Sequence, residues 1–197
     1  SAEVILTKIL QRAKVLYENS YEFKHEPTHF LSFFQEEPTL EDYLKLDEAV
    51  VLYYFQVWQD EDDAILKDLC YRFLNRHLFK YIEFDPASQY KMFMELIPLF
   101  KKAGIDPDYY LVLDSSSDLP YDFYRPGEEG ERLPIQLIMP NGDFRELSRE
   151  SEIVEAISGK RRTDHKLYYP ADLLRDESAN QATKRQIKQL LGVAHKY

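Results

Sequence analysis

The chain has 197 residues, 44% of them hydrophobic and 14% aromatic, and carries 35 acidic against 25 basic side chains for a net charge of -10. That length and apolar content support a real core and exclude a disordered or low-complexity chain. The acidic balance argues against general nucleic-acid binding, because nonspecific affinity for a polyanion comes from a positive field.

The elements follow in chain order. "AEVILTKILQRAKVLY" places Ile5, Ile9, Leu10, Ala13, Leu16 and Tyr17 at helical spacing and predicts a helix ending near Asn19. The opening Ser1-Ala2, without Met, suggests a piece excised from a longer protein. "THFLSFFQEE" predicts a short helix, and "PTLEDYLKL" a second with Thr39 as N-cap and Asp42 three residues on. "DEAVVLYYFQVWQ" follows, with Asp47 as cap and apolar residues nearly all round, so it is expected to be well buried. The run "DEDD" at 60–63 puts carboxylates at the N-terminus of the next helix, where the helix dipole favours them, and a capping, solvated role is preferred to a metal site.

That next helix, from about Asp63 to His77, gathers Leu66, Leu69, Cys70, Phe73 and Leu74 on one face. Arg72, Arg76 and Lys80 form a cationic ridge along its edge if helical geometry lasts to Lys80, and Asp68 stands four residues before Arg72, at pairing distance. From Lys80 the character changes. "KYIEF" alternates like a strand, "PASQYKMFMELIPLFKKAG" is a helix stopped at Gly104, and "DYYLVLD" reads as a strand. "SSSDLPYDFYRPGEEGER" reads as a long polar loop, and "LPIQLIMPNGDFREL" as a hairpin around Asn141-Gly142. A helix capped by Ser148 or Ser151 and stopped at Gly159, a basic turn and last strand in "KRRTDHKLYYP", and a polar-faced helix in "NQATKRQIKQLLG" complete the order. The fold expected is α+β, with an all-helical segment over 1–80 and a small antiparallel or mixed sheet with helices on one face over 81–197.

Motifs for chemistry are scarce. Cys70 is the single cysteine and sits on an apolar face, as a buried thiol does. His25 and His29 are four apart, but Pro27 between them opposes the regular helix that would let them share a metal. No HExxH, cysteine pair, EF-hand, phosphate loop or GxGxxG turn occurs. Ser115, Ser116 and Ser117 beside Asp114 and Asp118 mimic a nucleophile motif without a strand-to-helix elbow, and are read as a turn. The apolar runs fall far short of the ~20 residues that span a membrane and no signal core opens the chain, so a soluble cytoplasmic protein is expected. Two basic clusters could hold phosphates: the Arg72/Arg76/Lys80 ridge, and Lys160, Arg161, Arg162, His165 and Lys166 in "GKRRTDHK", the second read as an exposed turn.

At "DDAILKDLCYRFLNRHLFKYIEF" the chain resembles HD-domain phosphohydrolases of the deoxynucleoside triphosphate triphosphohydrolase-like branch, in the part that follows the catalytic HD core. "AEVILTKILQRAKVLY", "TLEDYLKLDEAVVLYYFQVWQDEDDAILKDLCYRFLNRHLFK" and "PNGDFRELSRES" are similar to bacterial members in this order, most specifically around "LNRHLFKY". The resemblance implies regulatory nucleotide sites between subunits, with phosphate contacts from Arg76 and Lys80 and Leu78 packing beside the nucleotide; Arg72 has no such role and is assigned to Asp68. It also implies that the divalent metal and its H…HD…D ligands lie in an HD core absent from this chain, so that no catalytic residue is expected here. The implied partners are that core and sister subunits in a homo-oligomer. The alternative expectation is a protein-protein interaction module with no nucleotide ligand, favoured by the abundance of Tyr and Phe.

Overall fold

A computed structural model of the chain describes residues 1–118, 135–151, 154, 162–175 and 179–192. The architecture is α+β: an all-helical stretch to Leu74, then a small antiparallel sheet interleaved with further helices. Helix α1 (Ala2–Glu18) buries Val4, Ile5, Ile9, Ala13 and Leu16 on one face, as its spacing predicts. A 3-10 turn at Thr28–Phe30 leads into α2 (Leu31–Phe34). Helix α3 (Leu40–Lys45) opens on the expected capping box, in which the Thr39 hydroxyl accepts from the Asp42 amide and the Asp42 carboxylate accepts from the Thr39 amide. Helix α4 (Glu48–Val57) is capped by Asp47, whose carboxylate accepts from the Val50 amide at 2.8 Å.

Helix α4 is not buried all round. Only Tyr54 and Phe55 are enclosed, while Leu52 and Tyr53 face out. Its apolar composition therefore does not report its burial. Trp58, in the 3-10 turn that follows, is fully buried among Phe30, Tyr54 and Phe55 and donates its indole N–H to the His25 carbonyl.

Helix α5 (Ala64–Leu74) packs on α1. Asp63 caps it, accepting from the Leu66 amide at 2.8 Å, and also receives the Arg12 fork, Nε on Oδ1 at 3.0 Å and Nη2 on Oδ2 at 2.6 Å. Burial opposes the charged form of Asp63, but the Arg12 hydrogen bond and the Leu66 amide outweigh it and hold the carboxyl below its ordinary value. A carboxyl with a depressed folded pKa gives stability that is present above its unfolded pKa, near ~4, and lost as pH falls through the folded one. The melting temperature is therefore expected to fall on acidification below about pH 4. Asp63→Asn, which keeps a competent cap, should flatten that fall and lower the melting temperature near neutrality; an acid melt series on both proteins checks it.

Strand β1 (Lys80–Glu83) is followed by α6 (Pro86–Lys102), which starts on the Asp85 cap with Pro86 in its first turn. "DYYLVLD" divides. Pro107–Tyr110 forms the short helix α7, capped by Asp106, with Tyr109 and Tyr110 buried, and β2 (Val112–Asp118) begins only at Val112. Ser115, Ser116 and Ser117 therefore stand in a strand rather than a turn. Strand β3 (Gln136–Ile138) pairs antiparallel with β4 (Phe144–Glu146) around Gly142 at φ +86°, the expected hairpin. Helix α8 (Leu147–Glu150) already contains Ser148, so Ser148 is no cap; the Ser151 hydroxyl accepts from the Val154 amide at 3.4 Å. The stop expected at Gly159, and most of the polar stretch expected as a loop after Ser117, lie outside the described residues.

Strand β5 (Arg162–Tyr169) takes up part of the sequence expected as a basic turn, and α9 (Ala171–Arg175) and α10 (Gln181–Leu190) follow. One sheet has the order β1-β5-β2, with β1 antiparallel to β5 in the register Lys80 opposite Tyr169 and Ile82 opposite Leu167. Ser1–Asp114 and Lys166–Tyr197 form one compact unit, and Ser115–His165 another. The first unit joins residues on both sides of Lys80: α6 and β5 contribute Leu96, Phe100 and Leu167 to the same core as Ile5, Leu66 and Leu69.

Candidate functional site

The end of α5 sets the geometry of the cationic residues. Arg72, 2% exposed, donates Nε to Asp68 at 2.6 Å and Nη1 and Nη2 to the two oxygens of Asp172 at 2.9 and 2.7 Å. The Tyr110 hydroxyl donates to the same Asp68 oxygen at 2.6 Å, and the guanidinium lies 5.9 Å from the ring centres of both Phe79 and Tyr110. The expected Asp68 pairing is there. Asp172, a hundred residues away, is the partner that spacing gave no means of finding.

The helix then stops at Leu74, three residues before the predicted His77. The Arg76 amide donates to the Phe73 carbonyl, the His77 amide donates to the Arg72 carbonyl, and Arg76 itself takes φ +55°. This is the paired amide pattern that closes a helix through a left-handed residue, a position glycine usually fills. The continuous helical ridge Arg72/Arg76/Lys80 therefore does not exist: Arg72 is inside, Arg76 is in the turn, and Lys80 opens β1. A non-glycine residue in this conformation costs roughly 1–2 kcal/mol. Arg76→Gly is accordingly expected to raise stability by up to about 1 kcal/mol while deleting a cation, measurable by urea unfolding.

Arg76 and Lys80 are both exposed, and neither has an ion-pair partner among the described residues. Leu78, between them in sequence, is half-buried against the core. A guanidinium and an ammonium of this kind suit a phosphate, the first through a two-pronged contact and the second as a point charge. Nearby in the chain, the exposed Tyr71 ring meets His77 edge-on at 5.5 Å. On the sheet, Lys166 sits opposite Glu83 with its Nζ 5.2 Å from the Tyr81 ring centre.

The other candidates resolve into local structure. His29 places Nδ1 2.9 Å from the Tyr54 hydroxyl, while His25 gives its backbone amide to Glu61, and no α-helix joins the two histidines. Glu61, 1% exposed, accepts from the Tyr21 hydroxyl and from the Lys24 and His25 amides, whereas Asp62 pairs with Lys24 at the surface. The acidic run thus caps and braces a turn. Among the described residues no group of three or more His, Cys, Asp or Glu is arranged to hold a metal ion. No described helix is long and apolar enough to cross a membrane. Of the second basic cluster, His165 and Lys166 are half-buried on β5, Arg162 is described in its backbone alone, and Lys160 and Arg161 lie outside the described residues.

No protein-family model matches the chain. It is 65% identical over 193 residues, 98% of its length, to the uncharacterized protein YwfO of Bacillus subtilis (strain 168). It also superposes on a crystal structure of a phosphohydrolase from Bacteroides thetaiotaomicron with a TM-score of 0.61 at 22% identity, over 86% of this chain. The chain spans 45% and 44% of the lengths of these two proteins, less than half of each.

Proposed function

We propose that the chain is the C-terminal regulatory and oligomerisation portion of a longer HD-superfamily (d)NTP phosphohydrolase. In this reading Arg76 and Lys80 take the phosphates of a regulatory nucleotide and Leu78 packs beside it. The observation that carries the proposal is the contrast along one short segment: Arg72 is buried and saturated by Asp68 and Asp172, while Arg76 and Lys80 reach solvent with no ion-pair partner among the described residues. The fold shared with part of a solved phosphohydrolase supports the same reading. The divalent metal and the hydrolytic step then belong to an HD core elsewhere in the parent, and the regulatory site is completed by that core and by sister subunits.

The test is made in the full-length parent. Arg76→Gly with Lys80→Ala removes both cations without straining the turn, and nucleoside and deoxynucleoside triphosphates are titrated in turn as activators. The half-activating concentration should rise by about tenfold or more, the loss expected for two charge-assisted phosphate contacts. Activity without added activator and its metal dependence should stay as they are. Superimposable activation curves would remove the regulatory role.

A further inference from the structure

Arg76 and Lys80 stand on a segment tied at both ends to one stretch of the later chain, residues 169–172. At the first end, the His77 amide donates to the Arg72 carbonyl at 2.9 Å and closes the turn in which Arg76 takes φ +55°. The Arg72 side chain is gripped in turn by the first turn of α9, where the two Asp172 oxygens accept Nη1 and Nη2 at 2.9 and 2.7 Å. At the other end, Lys80 stands opposite Tyr169 in the antiparallel β1–β5 register, and β5 leads directly into α9. Between the two ties Phe79 is 3% exposed, with its ring centre 5.9 Å from the Arg72 guanidinium carbon and 6.0 Å from the Tyr110 ring centre. Asp68 and Asp172 act differently on the one guanidinium. Asp68 lies a single turn back on α5, so its bond to Nε keeps Arg72 on its own helix, whereas Asp172 joins that helix to a segment a hundred residues on.

A two-pronged contact fixes the orientation of a guanidinium as well as its position. Two cations bind one polyphosphate well when their separation is held before it arrives, because ordering them on binding subtracts from affinity. We infer, on the regulatory reading of Arg76 and Lys80 given above, that Asp172 is a positioning residue for their phosphate contact. Through Arg72 it sets where the turn presents Arg76 relative to Lys80, and it makes no contact with the nucleotide itself. The sign of the effect separates positioning from charge. Through space, deleting a carboxylate favours a polyanion, so a pure charge effect tightens the site, while loss of positioning weakens it.

Asp172→Asn is made in the full-length parent beside Asp68→Asn and the Arg76→Gly/Lys80→Ala pair, and the common nucleoside and deoxynucleoside triphosphates are titrated in turn as activators. One amide oxygen cannot receive both prongs of Arg72, so Asp172→Asn should raise the half-activating concentration by about tenfold, the scale on which outer-shell partners of a binding group act, with the plateau at saturating nucleotide kept. Asp172→Glu, which retains both acceptor oxygens, should recover most of that shift. In Asp68→Asn the amide oxygen still accepts from Arg72 and Tyr110, and the half-activating concentration should stay at or below that of the wild type. Amide hydrogen exchange in the same proteins is the second readout. Exchange across residues 73–80 should quicken in Asp172→Asn with α1 and α4 unchanged, whereas a general loss of stability quickens it throughout. A half-activating concentration that falls or holds in Asp172→Asn, an equal rise in Asp68→Asn, or exchange quickened throughout the chain overturns the positioning role. Unchanged activation in the Arg76→Gly/Lys80→Ala pair overturns the regulatory reading, and the positioning role with it.

Discussion

Replacing Arg72 with alanine lowers the unfolding free energy by about 3 kcal/mol, from charge-assisted hydrogen bonds lost and packing vacated, since the two carboxylates left behind are 33% and 51% exposed and can be hydrated. The cation is almost wholly enclosed and donates three hydrogen bonds, one nitrogen to Asp68 and two to Asp172. Its removal leaves both carboxylates without their cation, Asp68 keeping the Tyr110 hydroxyl, and vacates the space beside Phe79 and Tyr110. Burial opposes the charged form of Asp172, yet Arg72 holds that carboxyl below its ordinary value, so the carboxylate is expected to reach for solvent or take up a proton once the cation is gone. Arg72→Lys should recover little of the loss, because one ammonium cannot serve two carboxylates through a planar fork. Urea unfolding of wild type and both variants measures it; a loss under about 1 kcal/mol, the figure for an exposed pair, would contradict the enclosed geometry.

Glu61→Ala is expected to cost about 3 kcal/mol, from the charge-assisted bonds lost and the donors left unpaired. Two of its three donors, the Lys24 and His25 amides at 3.0 and 2.9 Å, belong to a connection that has no helix or strand to accept them otherwise. The third, the Tyr21 hydroxyl, in turn accepts from the Asp62 and Asp63 amides, so a single phenol and a single carboxylate satisfy the turn before α5. Asp62→Ala is the internal comparison. Asp62 and Lys24 are both largely exposed, and the substitution should change stability by no more than about 0.5 kcal/mol. Equal effects at the two adjacent acids would refute the assignment.

These acids show what was legible in the sequence. Composition places carboxylates before a helix, and Asp63 does cap α5, but the side chain one position from the exposed Asp62 is among the most buried in the protein. Burial there depends on the Tyr21–His25 connection, which no local pattern announces. Helix starts were readable where Thr39 and Asp47 carry the chemistry of the cap themselves. Helix ends were less so. Ser20, Glu36, Arg76 and Gly104 all close helices at positive φ through the same paired amides, and of these only the glycine declares itself. The hidden stop at Arg76 is why a helical ridge was expected where a turn exists. Leucine, valine and tyrosine around α4 suggested a core helix because hydrophobic composition does not distinguish the inside of a fold from an exposed face. Arg72 was separable from its neighbours through Asp68 alone; Asp172 required the tertiary fold.

The strand order has a kinetic meaning. Strands β1 and β2 are consecutive in sequence but both border β5, which arrives some fifty residues after β2 begins. During synthesis the helices α1 to α5 can pack as they emerge, whereas β1 remains an unpaired edge until Tyr169 has been made. The Arg72–Asp172 clamp closes at the same late moment. Such distant pairing makes folding slow relative to a helical bundle of similar size and leaves an exposed strand edge on the nascent chain, the interval in which self-association competes with folding.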